Sequence, residues 1–488
     1  MVLPRALRAM SASWAVLAAG LLLLAGCSPV SDGSGPEPRP DDSGQPSLPD
    51  AATARPEGRL VWVSGFGGSA SDRGTAIVAA PDGSVFLVGH FAGPTDFGGS
   101  SIVPQGGPDG FVVKLSPSGA TQWVRTFGGT GPDYVRGAAC DRAGNLIAVG
   151  SFQGSIRFGD EVTTSQGGAD AFVVKFAPDG RTVWARTFGG PDEDLALGVA
   201  TDASGSVLLT GHLTSTVDFG GGPLTSAGSW DLFVVKLASD GSHAWSRRFG
   251  GANSDDDGFA IAADPATGDV LVTGRVYDPV NFGGGLLGKT GKDQAFLLRL
   301  SYSGSYRWAH RLGPDGTYSL GQGVAVAANG DVVLTGEFQG SIETGGAPLN
   351  SPTYISTFVT RYNSSGEPLW SRAFVGTDTN GGGGGVAIDA ADSVVVGGSF
   401  RGAVDFGGGG MLSQGDYDGY VLKLAPDGSH LWSRRLGGAQ SDSVWRVAFD
   451  ASGGILASGG YAGSVDFGGR TLSATSSVED AFALKLTY

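Results

Sequence analysis

Five aspartates, Asp72, Asp133, Asp194, Asp255 and Asp442, each stand ten residues after a tryptophan, and Tyr318 and Asn380 hold the matching places after two more. Carboxylates recurring at one turn can do two things. An Asp in a turn accepts backbone N–H bonds and orders the strand that follows, whereas a ring of them at one opening attracts a cation or a basic partner. Asp192-Glu193-Asp194 and Asp255-Asp256-Asp257 add charge there. Neither run has the alternating oxygen ligands, Gly and terminal Glu of a calcium loop, so calcium is only weakly indicated and no other cofactor is.

A second column follows a Gly in each unit: His90, Ser151, His212, Arg275, Glu337, Ser399 and Gly460. Its side chains differ while their neighbours repeat, which fits either a surface tuned to a ligand or drift at a solvent-exposed position. Two histidines do not make a metal site, which needs three or four converging ligands. Neither G-x-S-x-G nor H-E-x-x-H occurs, so no hydrolase or metalloprotease signature is present. Cys140 falls where other units place Ala79, Thr201 and Ala263, which marks it as a small buried filler rather than a nucleophile.

The elements that position these residues are strands. Trp62, Trp123, Trp184, Trp245, Trp308, Trp370 and Trp432 recur at gaps of 61, 61, 61, 63, 62 and 62, a period that signals a repeat architecture. Each unit holds four short apolar runs rich in Val, Phe, Leu and Thr between Gly-centred turns, for example Leu195 to Thr201, Val207 to Leu213, Leu232 to Leu237 and His243 to Arg248. With no helical period after the N-terminus, the spacing predicts an all-β chain of seven four-stranded blades. The chain opens on a lone fourth-type strand at Trp62 and stops after a third-type strand ending at Tyr488. Seven complete blades therefore require the N-terminal strand to complete the last one, which also removes the open edges of the array.

The repeated residues resemble the SBBP-type repeat of seven-bladed β-propellers in bacterial cell-surface proteins. In the third unit the pattern reads Trp184, Phe188-Gly189-Gly190, Asp194, Asp202, Gly205, Asp218-Phe219-Gly220-Gly221 and Asp231 before Phe233-Val234-Val235-Lys236-Leu237. The resemblance covers nearly all of residues 60–488 and implies surface placement without a defined activity. Departures gather in the fifth and sixth units, at Leu312-Gly313-Pro314, Phe374-Val375-Gly376, Ser341 to Gly346, and Thr357 in place of Asp. The Asp before strand three (Asp109, Asp170, Asp231, Asp293, Asp418, Asp480) recurs too regularly for a single active site and reads as architecture.

Residues 1–26 read as an export signal, with Arg5 and Arg8 ahead of an apolar run too short to span a membrane as a helix. Leu24-Ala25-Gly26-Cys27 resembles the lipobox of bacterial lipoproteins, which implies cleavage before Cys27, acylation of its sulfur and anchoring to a membrane. Ser28, rather than Asp, follows it, which implies the outer membrane or cell surface. Residues 27–57, rich in Pro, Ser, Gly and Asp, form a tether that cannot bury enough surface to fold. The propeller then occupies residues 58–488. A formal charge of −15 argues against nucleic acid, whose binding needs clustered Lys and Arg.

Antiparallel alternation puts the tight turns between strands one and two and between three and four on one face. The long two-to-three loops and the connectors between blades lie on the other, which is where binding residues are displayed. The expectation is a lipid-anchored, non-catalytic scaffold that binds an extracellular protein or polysaccharide there. Two alternatives are a glycosidase or lyase using acids at the mouth and an envelope protein with no specific ligand.

Overall fold

In a computed structural model, the described residues are 58–488, without Ser100, Asn253, Ser254, Lys289, Thr290, Asp315, Thr379 and Ser477 and without the side chains of 380–382. The signal, Cys27 and the tether lie outside them. No helix occurs among them. Seven four-stranded antiparallel sheets follow one another as blades of a β-propeller. Blade one runs from its inner strand, Asp72–Ala79, through Val85–Phe91 and Asp109–Leu115 to the outer strand, Thr121–Phe127.

The ring closes as the chain ends require. Leu60–Gly68 pairs antiparallel with Asp480–Leu486 and becomes the outer strand of blade seven, whose inner strands are Ser443–Phe449 and Ile455–Tyr461. Each blade buries two alternating sets of Val, Leu, Ile and Phe, one against each neighbour. Strand two is therefore buried on both faces, as Val207–Leu213 is along its whole length, and reads as a continuous apolar run.

The repeated tryptophan ties one blade to the next. The Trp123 indole donates from Nε1 to the Pro178 carbonyl of the next blade at 3.1 Å, and its ring lies on Gly180, where an added Cβ would stand 3.3 Å from it. Gly180 also has φ +82°, so its position excludes a side chain by conformation as well as by space. The same stack joins Trp62 to Gly119, Trp184 to Gly241, Trp245 to Gly304, Trp308 to Gly366 and Trp370 to Gly428. Trp432 stacks on Gly58, so the closing seam repeats the other six.

The tight-turn face carries an ion pair in every blade, largely buried except in blade one, where Asp82 is exposed. The Lys or Arg near the end of strand three meets the Asp of the one-to-two turn, as in Lys175–Asp141 at 2.9 Å, Lys236–Asp202 at 2.8 Å and Arg361–Asp331 at 2.9 Å. On the other face a small hairpin grows from the two-to-three loop. Its Phe packs on the Phe that ends the preceding blade, with ring centroids 5.4 Å apart for Phe127–Phe158 and 5.1 Å for Phe188–Phe219. Blade five keeps this hairpin despite its divergent sequence, since Gly340–Ile342 pairs with Leu349–Ser351 as an extension of its middle strands. Thr344 stands where the Phe would be, beside a cavity of about 430 Å³ lined by His310 and Tyr362.

Candidate functional site

Every inner strand breaks register near its start, and the residues in the break are Thr75, Arg136, Leu197, Phe259, Gln322, Gly384 and Trp445. The cause lies in strand two. A Cβ on Gly89, Gly150, Gly211, Gly274, Gly336 or Gly459 would fall 1.7–1.9 Å from a carbonyl oxygen of the inner strand. The inner backbone bows into the space that glycine leaves. A bulge re-aims a side chain, and this one does so in six blades, Gly384 of the sixth having none to aim.

The aspartate ring takes the architectural role. Asp72, Asp133, Asp194 and Asp442 are at most 2% exposed and are turned into the blades rather than toward solvent. Asp194 accepts the Gly190 N–H at 2.8 Å and the Thr214 N–H at 2.7 Å, so one carboxylate joins the connector to the end of strand two. Asp442 does the same with Gly438 and Ala462. Burial, reinforced by the nearby Asp109, pushes Asp133 up to about 8. Burial raises Asp72 and Asp442 to about 7 with smaller contributions from Asp480 and Asp418, and raises Asp194 to about 6.

The fourth blade corrects the sequence reading. Asp256, not Asp255, fills the architectural place, its N–H donating to the Trp230 carbonyl and its carboxylate accepting from Gly251 and Tyr277. The connector there is one residue longer, eleven from Trp245 rather than ten. Asp255 forms an isolated bridge with Trp230 and is half-buried. In the next blade Ser319 rather than Tyr318 takes that place, donating to the Leu312 carbonyl at 2.9 Å. Likewise Gln294, not Asp293, begins strand three of blade four.

The second column is not solvent-exposed. His90, Ser151, His212 and Glu337 are 7%, 2%, 2% and 3% exposed, because the column points into the seams between blades. His212 Nδ1 lies 2.5 Å from Asp257 of the next blade and stacks on Trp230 at 4.5 Å. Arg275 donates to the other oxygen of Asp257 at 2.6 Å. Burial alone would raise that carboxyl, but His212 and Arg275 hold it at about 2. Glu337, raised by burial, accepts from the Tyr318 hydroxyl at 2.5 Å.

His90 belongs to a different cluster. Its ring meets Tyr134 edge-on at 4.9 Å, the Arg136 guanidinium lies 5.1 Å from the Tyr134 ring, and Arg73 reaches both Glu479 at 2.9 Å and the Trp445 ring at 5.5 Å. The mouth thus gathers Arg73, Arg136 and aromatic rings, with Glu479 among them, over blades seven, one and two, and the carboxylates Asp255, Asp257, Asp293 and Glu337 with Arg275 and His212 over blades three to five. Sequence reasoning missed Arg73, Tyr134, Arg136 and Trp445. Aligning the units on the strand-two Gly rather than on Trp would have exposed them as a non-repeating column.

Five of the six strand-three aspartates are architectural as expected, each accepting a backbone N–H four or five residues earlier, such as Gln166 N–H to Asp170 at 3.0 Å. Burial pushes the Cys140 thiol up to about 12. Among the described residues no three His, Cys, Asp or Glu side chains converge to hold a metal.

No protein-family model matches the chain. It is 24% identical over 396 residues to an uncharacterized WD repeat-containing protein of Acanthamoeba polyphaga mimivirus, a match covering 64% of this chain and 28% of that protein. The chain thus spans less than a third of that relative. Solved structures of similar fold include the β-propeller domain of the Trilobed protease from Pyrococcus furiosus (7% identity, TM-score 0.39, 88% of this chain and 94% of that one). A gluconolactonase from Xanthomonas campestris (12%, 0.34, 89% and 99%) and the polysaccharide lyase Uly1 (10%, 0.44, 85% and 90%) are further examples. At such identities and TM-scores nothing about substrate passes from them to this chain.

Proposed function

We propose that this chain is an exported, lipid-anchored binding module that engages an extracellular protein or polysaccharide at its long-loop mouth without catalysing a reaction. The observation that carries this reading is where the sevenfold pattern stops. Tryptophans, ion pairs, aspartates and glycines repeat around the ring, while the bulge residues and the strand-two column differ in charge, size and polarity from blade to blade. Those side chains contribute nothing the repeat requires, and a rigid ring holding unlike groups at one opening suits recognition. The lipobox-like Leu24–Cys27 and the SBBP-type pattern support placement on the cell surface. A binding screen of the full-length protein against envelope glycans and surface proteins, with calcium or with chelator, tests it. Saturable binding that Tyr134→Ala and Trp445→Ala abolish while the melt is unchanged is expected; no saturable binding to either class sinks it and favours an envelope protein without ligand.

One feature favours a second reading, an enzyme acting on glycans. His212 is paired through Nδ1 with Asp257, while its buried Nε2 has no partner, the arrangement of an oriented general base. Turnover of a glycan that His212→Gln abolishes would establish it.

A further inference from the structure

Resting on the binding reading, we propose that the mouth between blades one and two takes a sugar acid, its carboxylate on Arg136 and a neighbouring hydroxyl on His90. The Lys or Arg near the end of each strand three is answered by a carboxylate on the tight-turn face, Arg275 by Asp257, and Arg125, Arg247, Arg372 and Arg446 by backbone carbonyls. Arg136 has a buried Nε with no such answer in a chain with 15 excess negative charges. Its Nε has no hydrogen-bond partner and it forms no ion pair among the described residues; Glu193 acts on it only at longer range, and Arg73 repels it. Burial lowers its pKa, the mark of a guanidinium withdrawn from water without a counterion.

His90 occupies the column position of His212, but the residue matching Asp257 in the next blade is Tyr134, which offers a ring edge instead of a carboxylate. Burial, with Arg136 and Arg73, pushes the imidazole down to about 3, so it is neutral. Its buried Nδ1 has no hydrogen-bond partner. A neutral imidazole carries an N–H on one nitrogen and a lone pair on the other, so it can accept a hydroxyl proton. The seam thus presents a cationic donor beside a neutral acceptor. A carboxylate with a hydroxyl two carbons away, as on the ring of a uronic acid, answers both; a plain carboxylate or a neutral sugar answers one. Both atoms are buried, so binding includes a turn of the partly exposed Arg136 side chain.

Titration calorimetry of the full-length protein with tri-galacturonate, galacturonate, acetate and maltotriose tests this. Saturable binding of the two uronates is expected, tighter for the trimer if a glycan is the source and equal if the free acid is. Arg136→Met should weaken it by about tenfold or more, with partial recovery in Arg136→Lys. Without ligand, Arg136→Met should melt higher, because an uncompensated charge is removed. Absence of uronate binding, maltotriose or acetate binding as tight as galacturonate, unchanged affinity in Arg136→Met, or a lower melt of that variant each overturns the proposal. If the screen above finds another ligand at the mouth while the uronates fail, the binding function stands and this assignment falls.

Discussion

The buried aspartates set a pH dependence whose sign follows from their environment. Asp72, Asp133, Asp194 and Asp442 have folded values between about 6 and about 8, well above the ordinary carboxylate value of 3.8, so the native state holds protons that the unfolded chain has released. Their contribution to stability is complete below about pH 4 and is lost as pH rises through 6–8. The turn aspartates Asp141, Asp202, Asp264 and Asp450 are held below their ordinary value despite burial, by partners that include Lys175, Lys236, Arg299 and Lys485. They act oppositely, losing stability as pH falls below about 4. The melting temperature should therefore peak near pH 5 and decline toward pH 8, with a smaller decline in Asp133→Asn, where the amide mimics the neutral acid. A melt that rises between pH 5 and 8 would contradict this. The sequence revealed these residues by their recurrence but not their role, because a turn carboxylate open to water and one closed beneath a loop have the same spacing.

At the scale of the element, the departures in units five and six follow a rule of mutual fit. An added Cβ on Gly189 would lie 2.1 Å from the Asp170 carboxyl, and Gly67, Gly128, Gly250 and Gly437 stand in the same relation to Asp480, Asp109, Asp231 and Asp418. The carboxyl fills the space the glycine leaves. Where Val375 replaces this glycine, Thr357 replaces the aspartate. Gly189→Val should consequently be strongly destabilising, and Asp170→Thr should recover part of the loss, with a coupling of about 1–3 kcal/mol in a double-mutant cycle. Additive effects in urea melts would refute the fit. Strand order, closure and the two faces were legible because each is written seven times. Asp255 was misplaced because a single extra residue in a connector shifts distance from Trp without shifting the strand, and Asp293 because it stands directly before Gln294, which takes the aspartate's place at the start of strand three; the bulge column was missed because alternation cannot show a residue whose register is broken.

For the whole molecule, stability depends on a closure made by the ends of the folded chain. Removing residues 58–68 would take away the outer strand of blade seven, the partner of Trp432 and the Trp62 contact with blade one, and would leave Asp480–Leu486 as an open edge. Such edges pair with other chains. The shortened protein should elute as mixed oligomers with a broad melt; a monodisperse species with the parental melt would show that the seam is dispensable.

The same seam decides how the domain bears force. Tension entering at Gly58 runs along Leu60–Gly68, whose bonds to Asp480–Leu486 lie across the direction of pull. The paired residues are loaded together in shear rather than peeled one at a time, and the Trp62 indole, bonded to the Pro117 carbonyl of blade one, shares the load with a second blade. A pull from the N-terminal end thus meets the ring at a joint that resists sliding, and its lifetime under tension is set by the barrier to unfolding rather than by equilibrium stability.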